Sequence, residues 1–414
     1  MMKLLTLGCF LLTFSLSCEA PTTLSEQEEV MSLIYYNIDG LKKAKKRIAQ
    51  NDNYYTSAYE KLIQRADKAL NFDPNPVTNK AKAAPSGDKH DYLSIAPYWW
   101  ADSTKEDGLP WIRRDGEVNP ETRGNHTDKE RIAKLWKVLS QLTFAFYYSN
   151  EPKYAEKAKE LLRIWFVEEA TKVNPNINYG QGVPGMTEGR PFGIIEWTGI
   201  DEVVNALQIL EQRGMLEEDL KTEMQLWLTT YLDWLLTSKL GQEEGARPNN
   251  HANWYDYQVL GISIYLGQIE AAKTRAEAIK IKRIATQIEP DGSQPHELAR
   301  TKSLSYSSMN LKAMILNAML AKQVGIDLLN FETADGRSLL QAATFLAPYA
   351  EKEKAWTYPQ LGDWEELIDD RLLPLFSVMS SIYGEPLLED VEAMKQSLGS
   401  MERLQYPPLL YEPQ

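Results

Sequence analysis

Apolar residues recur every three or four positions along most of the chain, the spacing that places them on one face of an α-helix. The alternation of apolar and polar residues that marks β-strands is nearly absent. Helices are therefore predicted over residues 26–49, 55–71, 128–149, 152–169, 197–213, 217–239, 252–268, 269–288, 304–324, 337–350 and 362–383. Gly214, Gly267 and Gly325 follow predicted helices, where glycine commonly ends a helix. Helices joined by such short turns indicate stacked hairpins.

No motif repeats at a fixed period, which argues against a solenoid of short repeats. The predicted fold class is all-α: an (α/α)n toroid or incomplete barrel of helical hairpins, with long active-site loops around a central cleft. A chain of 414 residues is long enough for two or three average domains, but a single toroid also reaches this size. We expect residues 21–414 to form one toroid catalytic domain.

Three long stretches lack helical periodicity, at residues 73–126, 174–193 and 241–250. Such stretches in a compact domain are usually either functional or disordered. The first contains three tryptophans, which disordered segments rarely carry. The second is rich in glycine, which would let a loop close over a bound chain. We therefore expect these stretches to border a binding cleft.

The N-terminus has the features of a secretory signal peptide. A lysine precedes an apolar run from Leu4 to Leu16, and residues 1–20 are predicted to be the signal. Both cysteines, Cys9 and Cys18, lie inside it, so the mature domain has no thiol and no disulfide. Cys18 partly fits a lipoprotein signal and is a candidate lipid anchor; release as a soluble protein is equally compatible. We expect an exported protein, periplasmic or attached to the outer membrane of a Gram-negative bacterium.

The formal net charge of −13 argues against nucleic acid or an anionic membrane surface as the partner. It does not exclude an acidic polysaccharide, because a binding site needs only a few local cations. Such cations occur beside unusual aromatic and amide residues, namely Lys89, Arg113, Arg114, Arg123, Arg190 and Arg300. The acidic composition gives no indication of the oligomeric state.

Two separate segments carry an unusual set of polar side chains. Residues 247–257 read Arg-Pro-Asn-Asn-His-Ala-Asn-Trp-Tyr-Asp-Tyr, in a chain with only four histidines. Residues 295–306 add a guanidinium, Arg300, and a further phenol, Tyr306. These groups suit the removal of a proton next to a carboxylate and the breaking of a sugar linkage by elimination. This is the chemistry expected of a polysaccharide lyase.

Elimination from a uronate requires that its carboxylate first be neutralised, because removing the C5 proton adds a second negative charge beside it. Asn250, His251 and Arg300 can donate an amide N–H, an imidazole N–H and a forked guanidinium to that carboxylate. Tyr306 is the predicted base and acid, since a neighbouring guanidinium can shift a phenol toward ionisation. Where the proton and the leaving oxygen lie on opposite faces, His251 is the predicted base and Tyr306 the acid. One site could then process two uronate epimers.

Several motifs resemble, in the right order, the alginate lyase superfamily containing polysaccharide lyase families 5 and 38, with family 38 the more similar. They are His90-Asp-Tyr-Leu-Ser-Ile-Ala-Pro-Tyr-Trp-Trp100, Gly108-Leu-Pro-Trp111, Asn249-Asn-His251, and Glu297-Leu-Ala-Arg300 with Tyr306. The resemblance extends over about residues 87–310. It implies an (α/α) toroid and metal-independent β-elimination, without a cofactor, of a uronate polymer: alginate, with glucuronan as the competitor. It also implies the catalytic set Asn250, His251, Arg300 and Tyr306.

Other residues of the same segments are predicted to bind the polymer. Aromatic rings would stack on sugars, and charged or amide groups would hold carboxylates and hydroxyls. The set is Lys89, His90, Tyr92, Tyr98, Trp99, Trp100, Trp111, Arg113, Arg114, Asn125, His126, Tyr179, Gln181, Arg190, Trp254 and Tyr255. For each of them, a place in a solvated loop or in the core is the alternative interpretation.

The catalytic assignments have structural alternatives as well. Asn249 or Asn250 could be only a helix N-cap, and His251 could pack against Tyr255. Arg300 could pair with Glu297 one helical turn away, and Tyr306 could belong to an apolar helix face. A metal site is disfavoured, because no two histidines have the spacing of helical zinc ligands and the mature chain has no cysteine.

Two other classes of protein remain as hypotheses. A glycoside hydrolase on the same fold would need two carboxyl groups that flank the scissile bond. The candidates for that pair are Asp91, Glu188, Glu196 and Asp256, and no spacing among them forces a pair. A glycan-binding lipoprotein without catalysis would bind the polymer and create no new chain ends.

Overall fold

The computed structural model describes residues 31–407. The predicted signal peptide and Cys18 lie outside the described residues. From Ser32 onward the chain groups into one compact unit. Within residues 31–407, no helix is both long enough and apolar enough to cross a membrane.

Helices make up most of the described chain and follow the spacing of apolar residues closely. They are α1 (Ile38–Ala49), α2 (Asn53–Ala69), α3 (Lys129–Ser149), α4 (Pro152–Leu162), α5 (Ile200–Gln212), α6 (Glu218–Thr237), α7 (Lys239–Gly245), α8 (Asn250–Tyr265), α9 (Ile269–Ile279), α10 (Ala285–Gln287), α11 (Pro295–Leu298), α12 (Ser303–Gln323), α13 (Leu339–Ala350), α14 (Leu373–Tyr383), α15 (Val391–Ser397) and α16 (Ser400–Gln405). Short π-helical segments lie at Arg163–Val167, Lys280–Ile284 and Ile368–Leu372, and 3₁₀ turns at Val77–Asn79, Pro120–Thr122 and Pro191–Trp197.

Two kinds of helix make up the core. Helices α3, α5, α8 and α12 are buried on most of their faces, whereas α4, α6, α9 and α13 bury one face. Helix α3 contacts α5, α5 contacts α8, and α8 packs along α12. Helix α9 packs against both α8 and α12 from outside. An inner row of buried helices backed by an outer row is the architecture of an (α/α) toroid, so the predicted fold class is confirmed.

The third irregular stretch differs from its prediction. Residues 239–245 form the short helix α7, whose N-terminus is capped by Ser238: its hydroxyl accepts the backbone N–H of Gly241 at 3.0 Å. Only residues 246–249 connect α7 to α8. The helix was missed because it has two glycines and a single apolar side chain. Its importance is that it carries Glu244 toward the N-terminus of α8.

Four short strands lie in the first two irregular stretches, and the β1–β4 pair connects these stretches. They are β1 (Leu93–Ile95), β2 (Trp99–Trp100), β3 (Ile112–Arg113) and β4 (Tyr179–Gly182). Strand β1 pairs in parallel with β4, and β2 pairs antiparallel with β3. Beside β4, a Cβ on Gly193 would lie 2.6 Å from the Cα of Gly180. These glycines permit close packing of two backbones, which differs from the loop closure expected from the sequence.

Candidate active site

Asn250 lies at the first turn of α8 and is 1% exposed. Its side-chain amide donates to both carboxylate oxygens of Glu297 at 2.9 Å, and its backbone N–H donates to Oε1 at 2.6 Å. Asn249 occupies the N-cap position without a capping hydrogen bond. Glu297, which comes from α11, therefore supplies the negative group at this helix N-terminus, and the N-cap interpretation of Asn250 is wrong.

His251 is held by a second buried carboxylate. Its Nδ1 lies 2.5 Å from Oε1 of Glu244, a side chain with no exposed surface. The other oxygen of Glu244 accepts the Nε–H of Arg247 at 3.0 Å. Phe192 packs edge-on against the imidazole, with ring centroids 4.9 Å apart. The hydroxyl of Tyr255, one helical turn further on, donates to the carbonyl of Leu235 at 2.7 Å.

Arg300 pairs with Asp115, a residue of the first irregular stretch. The guanidinium donates through Nε at 3.1 Å and through a terminal nitrogen at 2.8 Å. Thr301 adds hydrogen bonds to the same carboxylate. Burial alone would raise the pKa of Asp115, but the hydrogen bonds and charge of Arg300 hold it well below its usual range. The alternative, a pair between Arg300 and Glu297, is not formed, since Glu297 is turned toward Asn250.

Tyr306 lies between the Arg300 guanidinium and a second phenol. The guanidinium carbon is 4.0 Å from the centre of the Tyr306 ring, and the Tyr306 and Tyr98 hydroxyls are 2.9 Å apart. Burial and the Tyr98 hydroxyl raise the pKa of Tyr306 more than Arg300 lowers it. The expected shift toward ionisation is therefore reversed in this environment, and the phenol is protonated at neutral pH.

Glu297 connects the two halves of the site. Burial raises its pKa, while the two donors of Asn250 and the charges of His251 and Arg300 lower it. Because the Glu297 carboxylate interacts with Asn250, His251 and Arg300, the N-terminus of α8 and the segment before α12 lie next to each other. The amide, the imidazole and the guanidinium thus lie around this carboxylate, and the Tyr306 phenol lies next to the guanidinium. The set can neutralise an anionic ligand and move a proton beside it.

Aromatic rings and guanidinium groups alternate along one wall of the site. Arg190 lies over Trp99 at 5.6 Å and over Phe192 at 4.7 Å, and Arg247 lies over the same Phe192 ring at 3.6 Å. Such cation–π contacts orient a guanidinium without neutralising it. Burial and the charges of Arg113 and Arg247 lower the pKa of Arg190 to about 10, so it is still cationic at neutral pH.

The remaining predicted substrate-binding residues fall into several environments. Trp100 stacks with Arg114 at 5.0 Å beside the β2–β3 pair. Gln181 accepts hydrogen bonds from Arg190 through its side-chain and backbone oxygens. The exposed or half-buried loop residues Lys89, His90, Trp111, Arg113, Asn125, His126 and Tyr179 have side chains that solvent reaches. Trp254 borders a cavity of about 380 Å³ together with Tyr257 and Lys312.

Two of the predicted substrate-binding residues are core residues instead. Tyr92 is 0% exposed and donates its hydroxyl to Glu196 at 2.7 Å. Tyr255 is 3% exposed and bonded to Leu235. Tyr92 is thus enclosed by the protein and cannot contact a polymer, so that prediction is wrong: spacing along the chain does not show which face of an element is buried. The Tyr255 hydroxyl is bonded internally, while its ring borders a cavity that Arg247 also lines.

The carboxylates considered for a hydrolase have structural partners. Glu196 accepts hydrogen bonds from Tyr92, Ser94 and Gln181 and joins the first two irregular stretches. Asp256 is 1% exposed and pairs with Arg275 and Arg283. Asp91 is 7% exposed and accepts from Ser86, Asn174 and Asn176. Glu188 is exposed. This gives no pair of free carboxyl groups facing one bond.

Sequence reasoning did not predict four residues that hold the site together: Asp115, Phe192, Glu244 and Glu297. Glu297 was considered only as a partner for Arg300. Each of the four is a single acidic or aromatic residue near a motif residue. Such residues are common in any sequence, so their position alone does not predict a functional role. In residues 31–407, no group of three or more His, Cys, Asp or Glu side chains is arranged to hold a metal ion.

An (α/α) toroid with this convergent set of amide, imidazole, guanidinium and phenol defines the chain as a polysaccharide lyase in class. A family model described as alginate lyase matches residues 76–356. The chain therefore belongs to the alginate lyase family, as the motifs predicted.

Solved structures agree with this assignment. The crystal structure of an alginate lyase from Bacteroides ovatus is 34% identical, covers 91% of this chain and 99% of its own, and superposes with a TM-score of 0.84. Alginate lyase A1-III from Sphingomonas species A1 is 17% identical, with 85% and 95% covered and a TM-score of 0.52. An A1-III variant complexed with a tetrasaccharide is 17% identical, with 87% and 94% covered and a TM-score of 0.54. These two share the fold. No curated protein matches the chain.

Proposed function

We propose that the protein cleaves alginate by β-elimination at the site formed by Asn250, His251, Arg300 and Tyr306. The observation that carries this proposal is the contact of the Arg300 guanidinium with the Tyr306 ring, 4.0 Å away, beside Asn250 and His251. Membership of the alginate lyase family supports alginate as the substrate, as does the 34% identity with the alginate lyase from Bacteroides ovatus.

The first task of the site is to neutralise the uronate carboxylate. Asn250 lies beside this position with its amide held by both oxygens of Glu297, and His251 offers its Nε2. Arg300 lies close by. Its two hydrogen bonds to Asp115 fix the orientation of its guanidinium. Donors fixed before the substrate arrives stabilise developing charge at little cost in reorganisation. The C5 proton of the bound uronate thereby becomes more acidic.

The second task is proton transfer, which we assign to Tyr306. To act as a base it must first lose its own proton to solvent; its oxygen lies 2.9 Å from the Tyr98 hydroxyl, which can donate a hydrogen bond to the phenolate that results. The phenolate removes the C5 proton, the C4–O bond breaks, and a C4–C5 double bond forms. The phenol then returns the proton to the leaving glycosidic oxygen. For an epimer with the C5 hydrogen and the leaving oxygen on opposite faces, His251 is the base and Tyr306 the acid.

The third task is to hold the neighbouring uronates. Arg190 is fixed by the Trp99 and Phe192 rings and keeps its positive charge, while Arg247 lies over the same Phe192 ring and pairs with Glu244. Trp100 and Arg114 offer a stacking surface and a cation at the β2–β3 pair. Local cations of this kind let a chain with a net charge of −13 bind a polyanion.

The test is the ultraviolet absorbance of the unsaturated uronate product from mannuronate-rich alginate, guluronate-rich alginate and glucuronan. We expect an increase with one or both alginates, and a loss of that increase in the Tyr306→Phe variant. An increase in absorbance with glucuronan alone would support the elimination mechanism but would show that glucuronan, not alginate, is the substrate. No increase with any polymer, under conditions where the protein is folded, would contradict the proposal.

A further inference from the structure

We propose that Glu244 is a positioning residue that fixes the proton on Nδ1 of His251 and so commits Nε2 to the substrate. The inference rests on the proposed function only for its kinetic consequence. The proton position itself can be measured on the protein without any substrate.

The geometry around Glu244 is that of a permanent hydrogen-bond acceptor. The side chain has no exposed surface, and its Oε1 lies 2.5 Å from Nδ1 of His251. Its Oε2 accepts from Arg247 at 3.0 Å, which compensates the negative charge of the buried carboxylate. An ionised carboxylate can only accept hydrogen bonds. The Nδ1 atom of His251 must therefore carry a proton.

The imidazole is also fixed in orientation. Phe192 packs edge-on against it at 4.9 Å, and Arg247 lies 3.6 Å from the centre of the Phe192 ring. Arg247 thus contacts both the carboxylate and the ring that hold His251. Helix α7 places Glu244 seven positions before His251, across the short connection to α8. A rotated imidazole would break the 2.5 Å hydrogen bond and leave a buried carboxylate oxygen without its partner.

A proton fixed on Nδ1 determines what Nε2 can do. In the neutral ring Nε2 has a lone pair and can accept the C5 proton; in the charged ring it donates to the uronate carboxylate. In the opposite tautomer, the lone pair of Nδ1 would face Glu244 and the N–H of Nε2 would face the C5 proton. Nε2 would then have no lone pair with which to accept that proton. An orienting carboxylate of this kind is a known device for catalytic histidines on unrelated folds.

The consequence differs between the two uronates of alginate, which are C5 epimers. In mannuronate the C5 hydrogen and the C4 oxygen lie on one face, so Tyr306 alone can serve as base and acid. In guluronate they lie on opposite faces, so His251 must be the base. Loss of Glu244 should therefore reduce cleavage of guluronate-rich alginate much more than cleavage of mannuronate-rich alginate.

The first experiment reads the tautomer directly. The chain has four histidines, so long-range nitrogen–proton correlation spectra of protein labelled only at histidine can be assigned with single substitutions. We expect the neutral His251 ring to carry its proton on Nδ1 in the wild type and to lose this preference in Glu244→Gln. A wild-type His251 with its neutral-form proton on Nε2 would overturn the proposal, even if the variant failed to fold.

The second experiment measures kcat on the two alginates. Glu244→Gln should lower kcat on the guluronate-rich polymer by up to about 10,000-fold, the scale seen when a carboxylate that orients a catalytic imidazole becomes an amide. Glu244→Asp should restore part of that loss. Glu243→Gln removes the same charge one residue away, at a side chain whose ion pair with Lys239 is exposed, and should change neither the kinetics nor the spectrum.

Equal losses on both polymers with an unchanged tautomer would show that Glu244 has only a structural role. If the wild type formed no unsaturated product from any polymer, the proposed function would fail while the tautomer assignment remained separately testable.

Discussion

Tyr306 is the residue on which proton transfer depends, and its environment makes a prediction about pH. Burial and Tyr98 raise its pKa, so the phenolate is the minor form at neutral pH. The fraction of phenolate then grows about tenfold per pH unit below the pKa. We expect kcat/KM on mannuronate-rich alginate to rise with pH through the neutral range, measured from initial rates in buffers of constant ionic strength. A profile that is flat across this range would contradict a base with a raised pKa.

Substitution of Tyr306 is the most specific test of its role in proton transfer. Tyr306→Phe removes one oxygen atom and keeps the ring over which Arg300 lies. We expect kcat to fall by about 100- to 10,000-fold, the usual contribution of a positioned acid or base, with little change in KM. Tyr98→Phe is the matched variant, because it removes the other hydroxyl of the 2.9 Å pair and should have a smaller effect on kcat. A smaller loss of kcat in Tyr306→Phe than in Tyr98→Phe would assign the proton transfer to Tyr98 instead.

Arg300 allows a test of guanidinium geometry against charge. Arg300→Lys keeps the positive charge but loses the two-point hydrogen bond to Asp115 and the planar group over Tyr306. We expect kcat/KM to fall about 10- to 100-fold, because a point charge cannot hold a planar carboxylate through two bonds. Steady-state kinetics on short alginate oligosaccharides is the measurement. Wild-type kinetics in this variant would mean that charge alone is needed.

Single residues also show where sequence reasoning reached its limit. Asn250, His251, Arg300 and Tyr306 were found because two segments carry an unusual set of amide, imidazole, guanidinium and phenol groups, and because these segments resemble the motifs of a known family. Their partners were missed, because Glu297 faces Asn250 through tertiary packing rather than pairing along its own helix turn. Spacing along a chain predicts neighbours within one helix and gives no information about partners on another.

At the scale of elements, most of the strongly periodic helices were predicted within a few residues, since each buries an apolar face. The helices predicted over 26–49 and 362–383 begin later, at Ile38 and, with the π-helical turn included, at Ile368. Helix α7 was not, because it is short and has no such face. The short strands could not be predicted either: β1 and β4 pair only after the toroid has brought two distant loops together. These loop contacts position Arg190 and Phe192, so the least predictable elements support the wall of the site.

The contact between Gly180 and Gly193 tests this role of the loops. Gly193→Ala would place a methyl group 2.6 Å from the Gly180 backbone and displace β4 together with the neighbouring Arg190 and Phe192. We expect about 1–3 kcal/mol of destabilisation and a reduced kcat/KM, measured by thermal unfolding and kinetics. The control is Gly214→Ala, whose methyl group meets open space and whose positive φ costs about 1 kcal/mol. That control should lower stability and leave the kinetics unchanged.

At the scale of the whole molecule, the net charge of −13 opposes the approach of a polyanion, while a few guanidinium groups bind it at short range. The Debye length is about 10 Å at 0.1 M salt, so moderate salt screens the distant repulsion more than the direct contacts. We expect kcat/KM on polymeric alginate to rise when salt increases from low to moderate concentration, in initial-rate measurements. A decrease from the lowest salt onward would show that attraction to local cations already dominates at long range.

The central claim is that this site breaks the sugar linkage by elimination, with Tyr306 moving the proton. The most direct measurement is mass spectrometry of the oligosaccharides formed from alginate in water enriched in the heavy oxygen isotope, with wild type and Tyr306→Phe side by side. Elimination predicts unsaturated products without heavy oxygen at the new chain end, formed by the wild type and almost absent with the variant. Saturated products that carry heavy oxygen would demonstrate hydrolysis and contradict the account.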